Sequence, residues 1–305
     1  MKILHLTDTH LGEHGWYEGA PSGWRRGDDH FSALQRAIAP ALRGEVDAVL
    51  HTGDVFDRSR PPAREIERCT RLLREVARRV PVAVIAGNHD RCTLRRKLPT
   101  GLPGLQIVDR PQRVSLGDVV VAALPYQRSA ASFDDALRRL WAEGADLVAC
   151  HQAFHGVTVP RNFTFRIDRQ RDTVGVPHLP PGVQWILCGH IHPRQAVRVG
   201  GATVVHPGST ERTAWSEAGQ VKGYAIIDIG AEVRWRFVDL PTRPMRRVDR
   251  LRDLGAVCPG DLVRCAPAIP RVDVLERGGW LAAPRQPRKE RARPTQVAMF
   301  RHSRR

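Results

Sequence analysis

The chain has 305 residues, 42% of them hydrophobic, and a formal net charge of +16, enough to bury one large core plus a small appendage, or two modest domains. Its six cysteines, Cys69, Cys92, Cys150, Cys188, Cys258 and Cys265, form no Cys-x-x-Cys pair, which argues against a disulfide framework and a zinc knuckle. The sequence runs directly into an apolar strand without a charged, then apolar, leader, and no stretch is long enough to cross a bilayer, so a cytoplasmic protein is expected.

Lys2 to Thr7 predicts a first strand with Asp8-Thr9-His10 at its end. Residues i and i+2 of an extended segment project to the same side, so Asp8 and His10 can reach one ion together. Alone, that pair is weak evidence. A polar, Gly-rich stretch over 12–28 carries Trp16, Tyr17 and Trp24, aromatics that suit either base stacking or cover for a sheet edge. A helix is expected over 29–43. A strand over 47–52 then delivers Gly53-Asp54-Val55-Phe56-Asp57-Arg58, the glycine permitting a sharp turn. Pro61-Pro62 opens a helix over 63–79 with Ile66, Leu72, Leu73 and Val76 as its apolar face. Val82 to Ala86 is the returning strand of a β-α-β unit and ends at Gly87-Asn88-His89-Asp90.

Residues 105–108, 113–116 and 119–124 alternate like a strand ladder, and 134–143 reads as a helix. Asp146 to Cys150 and Val183 to Cys188 are apolar strands ending at His151 and at Gly189-His190-Ile191-His192, with Cys150 and Cys188 placed as buried thiols. Further strands are expected over 196–199, 203–206, 224–229 and 232–240. Five apolar strands thus end in groups able to bind metal: Asp8 with His10, Asp54, Asn88, His151, and His190 with His192. Oxygen and imidazole donors without thiolate suit Mn²⁺, Fe²⁺ or Zn²⁺ better than Ca²⁺ or copper. Seven donors exceed what one ion takes, whereas two ions about 3.5–4 Å apart, sharing one carboxylate, use them all.

The series Asp-x-His, Gly-Asp-x-x-Asp-Arg, Gly-Asn-His-Asp, His and Gly-His-x-His resembles the calcineurin-like metallophosphoesterase superfamily. Asp8 to Gly12, Gly53 to Arg58 with Pro61-Pro62, and His206-Pro207-Gly208-Ser209-Thr210-Glu211-Arg212 resemble its DNA-repair exonuclease branch, that of the SbcD nuclease subunit. The resemblance implies an α/β fold, a four-layer α/β/β/α metallophosphoesterase sandwich over 1–244 with a short basic C-terminal extension. It implies two divalent metal ions, Mn²⁺ foremost and Fe²⁺ or Zn²⁺ as alternatives. One would take Asp8, His10 and His192, the other Asn88, His151 and His190, with Asp54 bridging. It makes His89 a catalytic acid oriented by Asp57, and Arg58 a contact to the substrate phosphate. The implied activity is metal-dependent hydrolysis of phosphodiesters by a DNA exo- or endonuclease of repair. A phosphodiesterase or phosphatase for nucleotides or other small molecules is the alternative, and a non-catalytic scaffold a further one.

Departure from that branch follows Pro244. Such nucleases continue into a cap that selects DNA and a helical segment that binds an SMC-like ATPase partner. Here Pro267 and Pro270 interrupt any long helix, so 245–283 is expected to be a small lid or remnant cap, with 257–263 and 272–275 as candidate strands. The ATPase-docking segment is not expected. Residues 284–305 form a basic Arg/Pro-rich tail expected to be disordered. Residues 241–305 hold 16 Lys+Arg against 6 Asp+Glu, a bias that favours a polyanion and makes DNA the expected partner. No membrane is expected, and a homodimer is compatible with this reading. His14, His155, His178 and His206 are left to loop or packing roles.

Overall fold

The computed structural model describes residues 1–13, 15–90, 94–159 and 173–282; the expectations for His14, Cys92 and the 284–305 tail lie outside them. The first part of the chain is β1 (Lys2–Leu6), β2 (Tyr17–Glu18), α1 (Arg26–Leu42), β3 (Ala48–His51), α2 (Ala63–Ala77), β4 (Val82–Ile85), α3 (Leu94–Lys97) and β5 (Leu105–Val108). Next come β6 (Gln112–Leu116), β7 (Val119–Leu124), α4 (Ala130–Ala142), β8 (Leu147–His151), β9 (Ala153–Phe154), β10 (Thr173–Val174) and β11 (Trp185–Gly189). The last part holds β12 (Gln195–Val199), β13 (Ala202–His206), β14 (Lys222–Ile229), β15 (Val233–Leu240), β16 (Met245–Val248), β17 (Leu262–Cys265), α5 (Arg271–Glu276) and β18 (Trp280–Ala282).

Two six-stranded sheets form the body, in the orders β15-β14-β1-β3-β4-β5 and β12-β13-β11-β8-β7-β6. The β1, β3, β4 and β5 strands run parallel, as do β13, β11, β8 and β7. Period-two alternation decides which neighbour each side chain meets. In β4, Val82 and Val84 point to the layer of α1 and α2, while Ala83 and Ile85 point to the other sheet. In β8, Leu147 and Ala149 meet the first sheet, whereas Val148 and Cys150 pack beneath α4 with Phe133 and Leu137. The result is the four-layer α/β/β/α sandwich. Between the sheets, small residues such as Ala48, Ala83, Ala123, Ala149 and Ala225 interleave with large ones such as Ile3, Leu50, Ile85, Leu116 and Leu187.

A separate four-stranded sheet, β16-β17-β18-β2, has its own core of Val248, Leu254, Val257, Val263, Ile269, Val274 and Leu281. Here two expectations are corrected. The candidate strand at 272–275 is the helix α5: Pro270 stands at its N-cap, and Val274 alone of that turn is buried against the small sheet while Val272 is exposed. The candidate strand at 257–263 begins only at Leu262, because Pro259-Gly260 makes a turn closed by the Asp261 N–H bond to the Cys258 carbonyl (3.1 Å). The Gly-rich segment after His10 is no plain loop, since its Tyr17 and Glu18 pair antiparallel with Ala282 and Leu281. Cys69, Cys150 and Cys188 are buried free thiols. Among the described residues, no helix is long and apolar enough to cross a membrane.

Candidate metal centre

Parallel strands share a direction, so the carboxyl ends of β1, β3, β4, β8 and β11 open on one side of the sandwich, where sites of open α/β sheets form. The loops after β1 and β3 are zipped together by backbone bonds from Asp8 N to Gly53 O (2.9 Å), His10 N to Asp54 O (3.1 Å) and Leu11 N to Val55 O (2.9 Å). Among the described residues, the non-glycine positions with left-handed φ are Asp8 (50°), His10 (44°), Asp54 (52°) and His190 (79°). Such conformations cost about 1–3 kcal/mol each and persist only where the surroundings over-determine them. All four carry candidate ligands. Glycine is needed beside them: a Cβ on Gly87 would overlap Asp54 Oδ1, and one on Gly189 would overlap Thr7 Oγ1 and the Thr52 carbonyl.

The side chains form two groups. In one, His10 Nε2 lies 3.2 Å from His192 Nε2, and Asp8 Oδ1 lies 3.9 Å and 3.7 Å from those two atoms. In the other, His151 Nε2 lies 3.0 Å from Asn88 Oδ1 and 3.4 Å from Asp54 Oδ2. Asp54 Oδ2 is also 3.9 Å from His10 Nε2 and so stands between the groups. The His190 ring lies 5.0 Å from that of His151, and its backbone N–H donates to Asp8 Oδ2 (3.0 Å). All seven expected ligands therefore lie together, and every one except Asn88 and His190 is at least nine-tenths buried.

The donor set fits divalent cations. His192 Nδ1 donates to Glu217 Oε1 (2.8 Å), which turns its Nε2 toward His10 Nε2, 3.2 Å away. Among the described residues, none donates a hydrogen bond to the wholly buried Asp8 Oδ1. Two imidazole nitrogens and an orphaned, buried carboxylate oxygen converging in one place call for a positive charge. In the second group, burial alone would lower the His151 pKa, but the Asp54 carboxylate overrides it and raises it to about 10, so this position attracts positive charge. The same attraction holds Asp54 well below the ordinary carboxylate range against the opposing effect of burial.

A family model described as calcineurin-like phosphoesterase matches residues 1–194, which hold all seven of these side chains. The chain belongs to the calcineurin-like phosphoesterase family. Among relatives of this phosphoesterase, the DNA double-strand break repair protein Mre11 of Methanosarcina mazei is 28% identical over 260 residues, covering 80% of this chain but 39% of the relative. The SbcD component of the SbcCD nuclease of Bacillus subtilis is 27% identical over 285 residues, covering 78% of this chain and 69% of the relative. The chain thus spans less than half the length of the first. A solved structure from Thermus thermophilus, 17% identical, superposes with a TM-score of 0.50 over 77% of this chain and 98% of its own, and shares the fold.

Other residues of the phosphoesterase differ from expectation or were not foreseen. His89 Nδ1 donates to the backbone carbonyl of Asp57 (2.6 Å), while the Asp57 carboxylate lies 3.7 Å from His10 Nδ1 and 3.6 Å from the Arg58 guanidinium. Asp57 therefore holds His89 through its main chain and faces His10 with its side chain. Asp90, fully buried, accepts from the N–H groups of Val55, Phe56 and Gly87 (3.1 Å each) and so ties the second and third motif loops together. Glu217 was not anticipated. Besides His192 it binds the buried Lys222 ammonium (2.8 Å) and the Thr213 hydroxyl (2.9 Å). Of the remaining histidines, His206 Nδ1 donates to the Gly189 carbonyl (3.2 Å) under the β11 turn, and His178 Nδ1 accepts from Gly175 N (3.1 Å).

Proposed function

We propose that this phosphoesterase cleaves phosphodiester bonds in DNA, as a two-metal nuclease of DNA repair. The observation that carries the reading is the pair of donor groups joined by Asp54, an arrangement sized for two cations rather than one. The relatives named for double-strand break repair and for the SbcCD nuclease support DNA as the substrate.

Asp8, His10 and His192 would hold one ion, Asn88, His151 and His190 the other, and Asp54 both. Divalent ions held there, Mn²⁺ foremost, would supply positive charge against phosphate oxygens and would lower the pKa of water at the site. The chain's own residues do the rest. Thr52 and Glu217 accept the Nδ1 protons of His151 and His192, fixing both rings so that Nε2 faces the centre. The Nδ1 bond of His89 to the Asp57 carbonyl leaves Nε2, 4.0 Å from Asp54 Oδ2, as the atom that carries a proton to the departing oxygen. Arg58, about half exposed beside Asp57, meets the substrate phosphate.

The test is Mn²⁺-dependent hydrolysis of end-labelled single- and double-stranded DNA beside bis(p-nitrophenyl) phosphate, with His89→Ala as control. DNA cut by the wild type and spared by the variant supports the nuclease. Cleavage of the small diester alone would reassign the substrate to a small molecule and end the DNA reading.

A further inference from the structure

Beside the proposed metal centre lies an open cavity of about 770 Å³ whose lining runs from Asn88 through Tyr126 and Gln127 to Arg110 and Arg128. Nothing in the hydrolysis of a single phosphate requires it. Its volume falls in the range of sites that enclose a ligand of one or two nucleotides' size. The position is fixed by the sandwich: Tyr126 N donates to Ala86 O (3.1 Å) across the two sheets, and the Tyr126 ring lies 5.7 Å from that of His190 and 6.3 Å from that of His151. One candidate ligand, Asn88, therefore lines the cavity, and Tyr126 separates the rest of it from the rings of His151 and His190. Arg110 and Arg128, both exposed, line it as well. The one carboxylate among the described lining residues, Asp109, is paired with Arg95 (2.9 Å) and so does not cancel that charge.

Resting on the nuclease reading, we infer that this cavity is a subsite for the polynucleotide strand next to the bond that is cut, with Arg110 and Arg128 binding the neighbouring phosphates. A basic groove leading from a phosphoesterase centre suits a substrate whose phosphates repeat, and gives a monoester or a lone small diester nothing to bind. Tyr126, set against the rings of His151 and His190, forms the wall between the reacting phosphate and the next one. The site thereby selects chains over single esters.

The experiment compares wild type with the Arg110→Gln/Arg128→Gln double variant in Mn²⁺, on a labelled single-stranded 12-mer and on bis(p-nitrophenyl) phosphate. The expected result is a kcat/KM ratio of oligonucleotide to small diester at least tenfold lower in the variant. The slope of log affinity against log salt for the 12-mer should also become shallower by about 1.4, because two phosphates of the single strand are no longer neutralised. If ratio and slope match wild type, or if both substrates lose activity in parallel, the subsite is overturned while the nuclease stands. If wild type cuts the small diester but not the 12-mer, the nuclease reading falls first and the subsite with it.

Discussion

Glu217 shows how a side chain absent from any motif reaches the chemistry. Its carboxylate lies between the His192 imidazole and the buried Lys222 ammonium, so it orients a candidate ligand and neutralises a cation that the fold has enclosed. Glu217→Gln is expected to weaken Mn²⁺ binding by roughly 10–100-fold in calorimetric titration, and unchanged affinity would remove Glu217 from the centre. A second prediction concerns acid. Burial and the nearby Arg26 charge lower the His30 pKa to about 3 despite its bond to the Thr9 carbonyl. The unfolded chain takes up that proton below about pH 6.5 and the folded one does not, so stability is greatest above pH 6.5 and falls as pH drops towards 3. At pH 5 the loss from this residue is about 2 kcal/mol. Thermal melts at pH 7 and pH 5 should differ less for His30→Asn than for wild type. The seven candidate ligands were legible because each stands at or just beyond the end of an apolar run, although strand alternation does not set their side, since Asp8, His10, Asp54 and His190 take left-handed φ. Glu217 was not, since its contact with His192 is made only when the chain has folded. Nor does the Asp-x-x-Asp-Arg spacing reveal that the Asp57 carboxylate turns to His10 and its carbonyl to His89.

Among elements, the strands were the easiest to read, because those buried on both faces are nearly continuous apolar runs. Helix starts were harder. The helix expected from 134 begins at Ala130, because Ser129 caps it, its Oγ accepting from Ser132 N (3.2 Å). Ser129→Ala should cost about 1 kcal/mol in a denaturant titration and loosen the first turn of α4, which borders the basic cavity. An effect within a few tenths would show the cap to be redundant. The short α5 misled for a specific reason: Val272 and Val274 have strand-like spacing, yet Pro270 sets up a helix and only one valine needs burial. Local preference gave way to the shape of the small sheet it covers.

The sandwich holds three apolar cores and the small sheet a fourth, and the two parts are tied together by β2 and a few side chains. Arg243, just after the last sandwich strand, stacks 4.2 Å from the Trp280 ring while Nε and Nη2 reach the Asp29 carboxylate at 2.8 and 2.9 Å. Trp24 closes the cluster, its ring 4.7 Å from that of Trp280. Arg243→Ala should weaken this junction by about 1–2 kcal/mol, given its partial exposure, and limited proteolysis should then cut near residues 241–244 faster than in wild type. Equal cleavage would mean that Arg243 is not needed to hold the small sheet in place. The β2 strand has its own consequence in time. Its two residues follow the first motif by only a few positions, yet their partners Leu281 and Ala282 are among the last described. A ribosome adding about 5–20 residues per second needs roughly 10–50 s to travel from one to the other, and through that interval Tyr17 and Glu18 have no strand to join. The segment beside His10 is made early and finished late, so a nascent chain cannot hold its completed shape until the small sheet has emerged.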